Sequence, residues 1–269
     1  MDRRSVLSVS AITMLALAAL PCSVIAQQRT TVNAEVRQAL APLGKLRVGV
    51  YPGSPFSMVR DPASGEMKGI AVELGKALAV RLDVPYEQVD FRRPAEIYDA
   101  LKAGQIDMTI ANATTARTDE FAWSPPLLLI ELGFLVPPGS SVATPADVDR
   151  PGLRVGVTQG GTMNSALVRE LKNAAVVPAA TLKIGIEMLA EHKIDVYATN
   201  KANLFEMSDA LPGSRVLDGR WGVEHLALAI PNGRDIGLAY MRAFAEYAKS
   251  QGLVARAAAR VDLRGATTE

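Results

Sequence analysis

Five residues of this chain occur twice. Leu46-Arg47-Val48-Gly49-Val50 returns letter for letter as Leu153-Arg154-Val155-Gly156-Val157. Further on, Leu101-x4-Ile106-Asp107-x4-Asn112 is matched in spacing by Leu189-x4-Ile194-Asp195-x4-Asn200. In both copies a helical segment precedes the Ile-Asp pair and a strand follows it. A chance match of five residues between apolar strands is conceivable, but a second match in the same order makes chance the poorer explanation. The pattern predicts two βα halves of similar plan, each closing a strand on an Asn-bearing loop. Two halves that face each other imply a cleft.

The elements between the repeats follow from local signals. The strand at 46–50 leaves through Tyr51-Pro52-Gly53-Ser54-Pro55-Phe56, where two prolines and a glycine end it. Asp61 to Gly65 reads as a hairpin-like turn. Gly69 opens a helix with Ile70, Leu74, Leu78 and Leu82 on one face. Tyr86 to Phe91 reads as a strand, Glu96 to Lys102 as a short helix closed by Gly104, and Ile106 to Ile110 as a buried strand. Leu127 to Val136 is a long apolar strand stopped by Pro137-Pro138-Gly139. Thr144 caps a helical start with Pro145 at its first position. Val223 to Ile230 is another strand, and 236–249 and 254–260 are closing helices separated by Gly252.

The N-terminus reads as an export leader. Asp2-Arg3-Arg4 precedes a mostly apolar run from Val6 to Leu20, and Val24-Ile25-Ala26 fits small-residue cleavage, so residues 1–26 are assigned to a secretory signal. Arg3-Arg4 admits twin-arginine as well as Sec export, and Cys22 lies close to a lipoprotein signal, though Pro21 before it fits that signal poorly. Cys22 is the single cysteine, so a mature chain would have neither disulfide nor thiol chemistry. The full chain carries a net charge of +1, which Asp2, Arg3 and Arg4 account for, so the remainder is neutral. A neutral chain has no basic surplus to release counterions from a nucleic-acid backbone. Later apolar runs are too short to span a membrane, and the sequence shows no metal-ligand spacing.

Two stretches carry polar chemistry. Asn112, Thr114 and Thr115 follow the strand at 106–110 and lead to Arg117, whose guanidinium is built for carboxylate or phosphate. Ligands in α/β sheets sit at the carboxyl ends of strands, where this loop lies. In the second half Thr158-Gln159-Gly160-Gly161-Thr162 is a glycine-rich loop before a helix that starts near Thr162. Its backbone N–H groups suit an anion, and a plain Gly-Gly turn would serve equally. It is neither a Walker loop nor a dinucleotide fingerprint.

The order of these elements resembles the periplasmic solute-binding proteins of ABC importers, in the amino-acid-type family 3. The likeness runs from Leu46 to Gly265. Lys68 to Leu74 resembles the family's Gly-Phe-Asp-x-Asp-Leu segment, with Glu73 at its second acid. Leu101 to Asp107 resembles its Leu-x-x-Gly-x-x-Asp turn, and Arg117 to Ser124 its Arg-x6-Ser segment. Val155-Gly156-Val157 and Gly161-Thr162 resemble its second-lobe entry. The resemblance implies an α/β, two-lobed periplasmic-binding-protein-like fold of type II. Lobe 1 would hold residues 45–132 and 224–269, lobe 2 residues 140–220, with hinge strands at 131–136 and 223–230. It implies a periplasmic, monomeric, non-enzymatic protein that needs no cofactor. Such a protein captures a small carboxylate-bearing solute, an amino acid or related organic acid, and delivers it to a membrane permease.

Carried over residue by residue, Arg117 grips the ligand carboxylate, Thr114 helps hold it, and Thr162 beside Gly161 adds a donor from the second lobe. Asn112, Asn200, Tyr51 and Phe56 complete the expected ligand-binding set. Two departures stand out. The family's ammonium-binding aspartate falls near Asn200, a neutral amide that supplies no charge to offset desolvation of a cation. The loop that carries the family's aromatic lid is shortened, leaving Gly53 near that place and Tyr51 or Phe56 as substitutes. Glu131 and Glu224 could restore the charge, but surface or hinge salt bridging is the expected use of either. The competing reading is a periplasmic dehydratase of the cyclohexadienyl-dehydratase type on the same fold. Against it, the sequence has no nucleophile elbow, and His192 and His225 are expected to be structural or exposed. Glu73 is expected to be a structural acid of the first helix.

Overall fold

The computed structural model describes residues 33–61, 63–114, 117–160 and 162–267, with the side chains of Thr162 and Thr267 left aside. The expected leader at 1–26 lies outside the described residues. The chain begins with α1 (Ala34–Leu40), whose Asn33 cap accepts from the Glu35 N–H at 3.0 Å. Then come β1 (Leu46–Val50), the antiparallel ribbon β2 (Val59–Arg60) and β3 (Met67–Lys68), α2 (Ile70–Leu82), and β4 (Tyr86–Asp90), parallel to β1. The helix α3 (Pro94–Lys102) starts two residues before the expected Glu96, because Pro94 supplies a preset first turn. Next are β5 (Thr109–Asn112), β6 (Phe121–Trp123) and β7 (Leu128–Val136).

A single 3-10 turn at Pro145–Asp147, boxed by Thr144 and Asp147, opens the second half. It continues through β8 (Arg154–Thr158), α4 (Thr162–Glu170), β9 (Ala175–Ala179), α5 (Leu182–Ala190), β10 (Val196–Asn200), α6 (Lys201–Ala210) and β11 (Arg215–Val216). The chain returns on β12 (Gly222–Pro231) and ends in α7 (Asp235–Ser250), α8 (Leu253–Arg260) and β13 (Ala266–Thr267).

Among the described residues one sheet follows the order β5-β12-β7-β10-β8-β9, with β6 on β12 and with β11 and β13 on β7. The long strands β7 and β12 pair antiparallel, from Gly222 opposite Leu132 to Leu226 opposite Leu128. Strands β10, β8 and β9 run parallel, and β10 is buried on both faces. Val196 and Ala198 join a cluster with Phe134, Val155, Val157 and Leu167, while Tyr197 faces the larger core. Continuous burial of this kind is what a parallel strand covered on both sides requires.

The repeated sequence has a structural cause. Arg47 donates to Asp107 through its backbone N–H (3.0 Å), Nε (2.9 Å) and Nη2 (2.9 Å), and through Nη2 to the Gly104 carbonyl (2.8 Å). Arg154 reproduces all four bonds, onto Asp195 (2.8, 2.9 and 2.8 Å) and the His192 carbonyl (2.7 Å). The glycines belong to the same device. A Cβ on Gly49 would meet Ile106 Cδ1 at 2.4 Å, and one on Gly156 would meet Ile194 Cδ1 at 2.3 Å. Each copy therefore locks its Ile-Asp turn to its strand by one ion pair and one methyl seated over a glycine. This displaces the expected strand at 106–110. Ile106 and Asp107 are occupied by the lock, and β5 begins only at Thr109.

The loop after β1 is fastened to α2. The N–H groups of Ile70 and Ala71, free in any helix start, donate to the carbonyls of Pro55 (3.1 Å) and Phe56 (3.0 Å). This approach needs glycine at position 69, where a Cβ would lie 1.9 Å from the Ser57 carbonyl oxygen. Gly69→Ala is expected to destabilise the fold by about 3 kcal/mol, measured by urea denaturation. A variant within 0.5 kcal/mol of wild type, on the scale of about an ordinary surface change, would show that the contact yields without strain.

Candidate functional site

The strand ends and the loop after β1 converge on a cleft that holds two neighbouring chambers. One is lined by Tyr51, Phe56, Tyr98, Ile110, Leu182 and Asn200, and is largely aromatic and apolar. The other is lined by Thr114, Arg117, Glu120, Gly160, Arg169 and Trp221, and is the more polar of the two. Asn112, Met163 and Glu224 line both.

Arg117 is presented by the loop after β5. Its backbone N–H donates to the Thr114 carbonyl (2.9 Å), and its own carbonyl accepts from Trp123 Nε1 (3.3 Å). The guanidinium lies 3.7 Å above the Tyr98 ring, a cation–π contact that orients the fork without using its N–H groups. Its ion pair among the described residues, with Glu120, is long at 3.8 Å. Burial pushes the Tyr98 hydroxyl up to about 12 even though Arg117 pulls it down, so the ring stays neutral beneath the cation. The Thr114 hydroxyl is buried and has no hydrogen-bond partner among the described residues. A mostly buried guanidinium whose N–H groups make no hydrogen bond among the described residues, in the same cavity as a hydroxyl likewise without one, has the chemistry to suit an anion.

Glu224, on β12, is 6% exposed. Its Oε1 accepts from Asn112 Nδ2 at 3.3 Å and its Oε2 from Asn200 Nδ2 at 2.8 Å. The two asparagines of the internal repeat thus meet on one carboxylate. Burial pushes that carboxyl up to about 7, opposed by the two amide hydrogen bonds. The aromatic chamber is closed by Tyr51 and Phe56, in edge contact with centroids 6.2 Å apart. Burial also raises the Tyr51 hydroxyl far above its usual range.

A sequence model of the bacterial extracellular solute-binding proteins, family 3, matches residues 46–256. The chain belongs to that family. Solved structures with the same architecture include an amino acid ABC transporter substrate-binding protein from Streptococcus pneumoniae bound to L-arginine (TM-score 0.74, 18% identity, 87% of this chain and 100% of that one). Another is an ancestral amino acid-binding protein described as a precursor of cyclohexadienyl dehydratase (TM-score 0.71, 23% identity, 81% of this chain and 96% of that one). They share with this solute-binding protein the two-lobed type II periplasmic-binding-protein fold, with two strands joining the lobes. Among curated sequences it is similar to the membrane-bound lytic murein transglycosylase F of Shewanella sp. (strain ANA-3), 32% identical over 123 residues, which are 45% of this chain and 24% of that one. It spans about a quarter of the length of that relative.

In this family member the expected site residues separate into groups. Asn112, Thr114 and Arg117 come together around the polar chamber, and Tyr51, Phe56 and Asn200 around the aromatic one. Gly161 and the side chain of Thr162 lie outside the described residues; Gly160 and Met163, on either side, line the polar chamber. Asn200 is also the cap of α6, its Oδ1 accepting from the Asn203 N–H at 3.0 Å. The expectation for the two acids holds for one of them. Glu131 pairs with Lys201 (2.7 Å) and Arg220 (3.3 Å), and the Lys201 hydrogen bond holds its carboxyl below the usual range. Glu224 is the correction. It makes no salt bridge among the described residues and is buried, held by the amides of Asn112 and Asn200 instead. The histidines are exposed, as anticipated, and Glu73 pairs with Arg260 at 3.0 Å. Tyr98, the platform for Arg117, was not anticipated; it carries no distinguishing spacing in the sequence.

Proposed function

We propose that this protein captures a small carboxylate-bearing solute, an amino acid or related organic acid, between its two halves and delivers it in the periplasm to an ABC permease. The halves would be residues 45–132 with 224–269, and 140–220, bending at 131–136 and 223–230, with the protein acting as a monomer. The supporting observation is Arg117, stacked on Tyr98 and lining the same cavity as the Thr114 hydroxyl, with neither its N–H groups nor that hydroxyl hydrogen-bonded among the described residues. A carboxylate there would accept a bidentate, charge-assisted pair and a hydroxyl hydrogen bond. Hinge strands suit the role because rotation can be absorbed there while each half keeps its own packing.

The reading is tested by a thermal-shift screen of amino acids, keto acids and small dicarboxylates. At a hundredfold excess over Kd a true ligand stabilises by about 2.7 kcal/mol, which raises Tm by roughly 5–10 °C in a chain of this size. Arg117→Ala is expected to abolish that rise while leaving the ligand-free Tm within about 2 °C. Undiminished stabilisation of Arg117→Ala by the same ligand would sink the carboxylate clamp.

One observation favours a second reading. A buried carboxyl near neutrality inside a cleft is also suited to proton transfer, which is what a dehydratase acting on a prephenate-like acid needs. Release of an aromatic product from such an acid would establish turnover and displace the pure binder.

A further inference from the structure

The orientation of both amides around Glu224 is determined by backbone geometry. The Asn112 Oδ1 accepts from the His225 N–H at 3.1 Å, and the Asn200 Oδ1 accepts from the Asn203 N–H at 3.0 Å. With each amide oxygen held by a backbone donor, it is the NH2 group that faces Glu224 in both cases. Each carboxylate oxygen therefore accepts one hydrogen bond from a neutral donor and keeps a lone pair for another. Glu224 lines both chambers of the cleft, and no lysine, arginine or histidine among the described residues pairs with it. Two neutral donors support a carboxylate without cancelling its charge, and a buried charge left uncancelled is costly.

We propose that Glu224 is the counter-ion for a cationic group of the solute, a role that the neutral Asn200 cannot fill. The inference rests on the carboxylate-capturing cleft proposed above and narrows its ligand to a zwitterion, with the anion on Arg117 and the cation on Glu224. Both groups line the polar chamber. The function of the paired asparagines then becomes specific: one from each half holds the acid in place on the strand between them.

The proposal carries a pH signature. Burial raises the free carboxyl to about 7, so a cation that requires the ionised form displaces a proton near neutrality. Around Glu224 the aromatic chamber presents Tyr51 from the loop after β1 and Tyr98 from α3, both held neutral, with Arg92 and Arg93 before α3. The polar chamber presents Arg117 and Glu120 after β5, and Arg169 and Glu170 from α4. His225, next along β12, is exposed.

The test is calorimetric titration at pH 6, 7 and 8 with three probe sets: L-amino acids other than histidine, the matching 2-hydroxy acids, and the matching amino alcohols. Amino acids keep their own charges across this range, so a change in affinity reports on the protein. The expected result is binding of an amino acid roughly tenfold weaker at pH 6 than at pH 8, with proton release on binding. The matching hydroxy acid should bind more weakly by a factor of about thirty or more. Glu224→Gln should remove the pH dependence and most of the preference. Equal binding of amino and hydroxy acids overturns the proposal and leaves the carboxylate clamp standing. Binding of amino alcohols as tight as amino acids, pH-dependent and insensitive to Arg117→Ala, overturns the carboxylate reading and leaves Glu224 standing. No binding by any set overturns both. The comparison of amino and hydroxy acids on the unaltered protein decides the matter even should Glu224→Gln fold poorly.

Discussion

Asp107→Ala is expected to cost about 3–5 kcal/mol of folding stability, the range found when a buried ion pair loses one partner. The Asp107 side chain is fully buried, and it receives Arg47 together with Arg234 Nη1 at 3.2 Å. The arginines are 11% and 17% exposed, so its removal leaves two cations with little access to water. The same change in the second copy should cost about 1 kcal/mol. There Arg154 is 42% and Asp195 31% exposed, and water can replace what is lost. Urea denaturation of both variants measures the contrast. Equal losses would show that local geometry, which the copies share, decides the cost, and that burial, in which they differ, does not.

Glu224→Gln should change how the ligand-free protein responds to pH. Burial raises this carboxyl from 4.5 to about 7, so between those values the folded protein holds a proton that the unfolded chain has released. The associated stability is fully present below the lower value and is lost as pH rises through the upper one. The loss amounts to about 3 kcal/mol at most. Wild type should therefore weaken between pH 5 and pH 8 relative to Glu224→Gln, by chemical denaturation at each pH. Parallel curves for the two proteins would show that the carboxyl titrates as it does in water. A site that destabilises its own empty state is a familiar trade between stability and function, and here a solute cation would reverse it.

How much of this was legible in the sequence depends on the range of the interaction. The two copies of Leu-Arg-Val-Gly-Val, and the Ile-Asp pairs at a common spacing, announced two similar halves. Helices with a clear apolar face, such as α2 at Ile70, Leu74, Leu78 and Leu82, lie where their periodicity puts them. The onset of β5 was misplaced because alternation describes which residues are buried, and Ile106 and Met108 are buried without being strand. The acids were harder. The cations that pair with Glu131, Lys201 and Arg220, arrive from α6 and from the segment before β12, and none among the described residues pairs with Glu224. Nothing local specifies that. A signal for Glu224 did exist: it stands in phase with Leu226, Leu228 and Ile230, on the buried face of its strand. An acid among core positions, between two matched asparagines, marks a place where an apolar residue would be the simpler choice for stability.

The unbroken path from β5 to β9 bears on how such a molecule can bend. Its two halves are joined through β12 and β7, which are themselves hydrogen-bonded to each other and to the strands on either side. The relative rotation of the halves proposed above would therefore be a change in the twist of one sheet, shared along a ladder of backbone bonds, rather than a swing about a pin. Glu224 lies on β12, inside that path. In the bending proposed above, a charge placed there would stay with the shared sheet, while residues at the rim would travel farther.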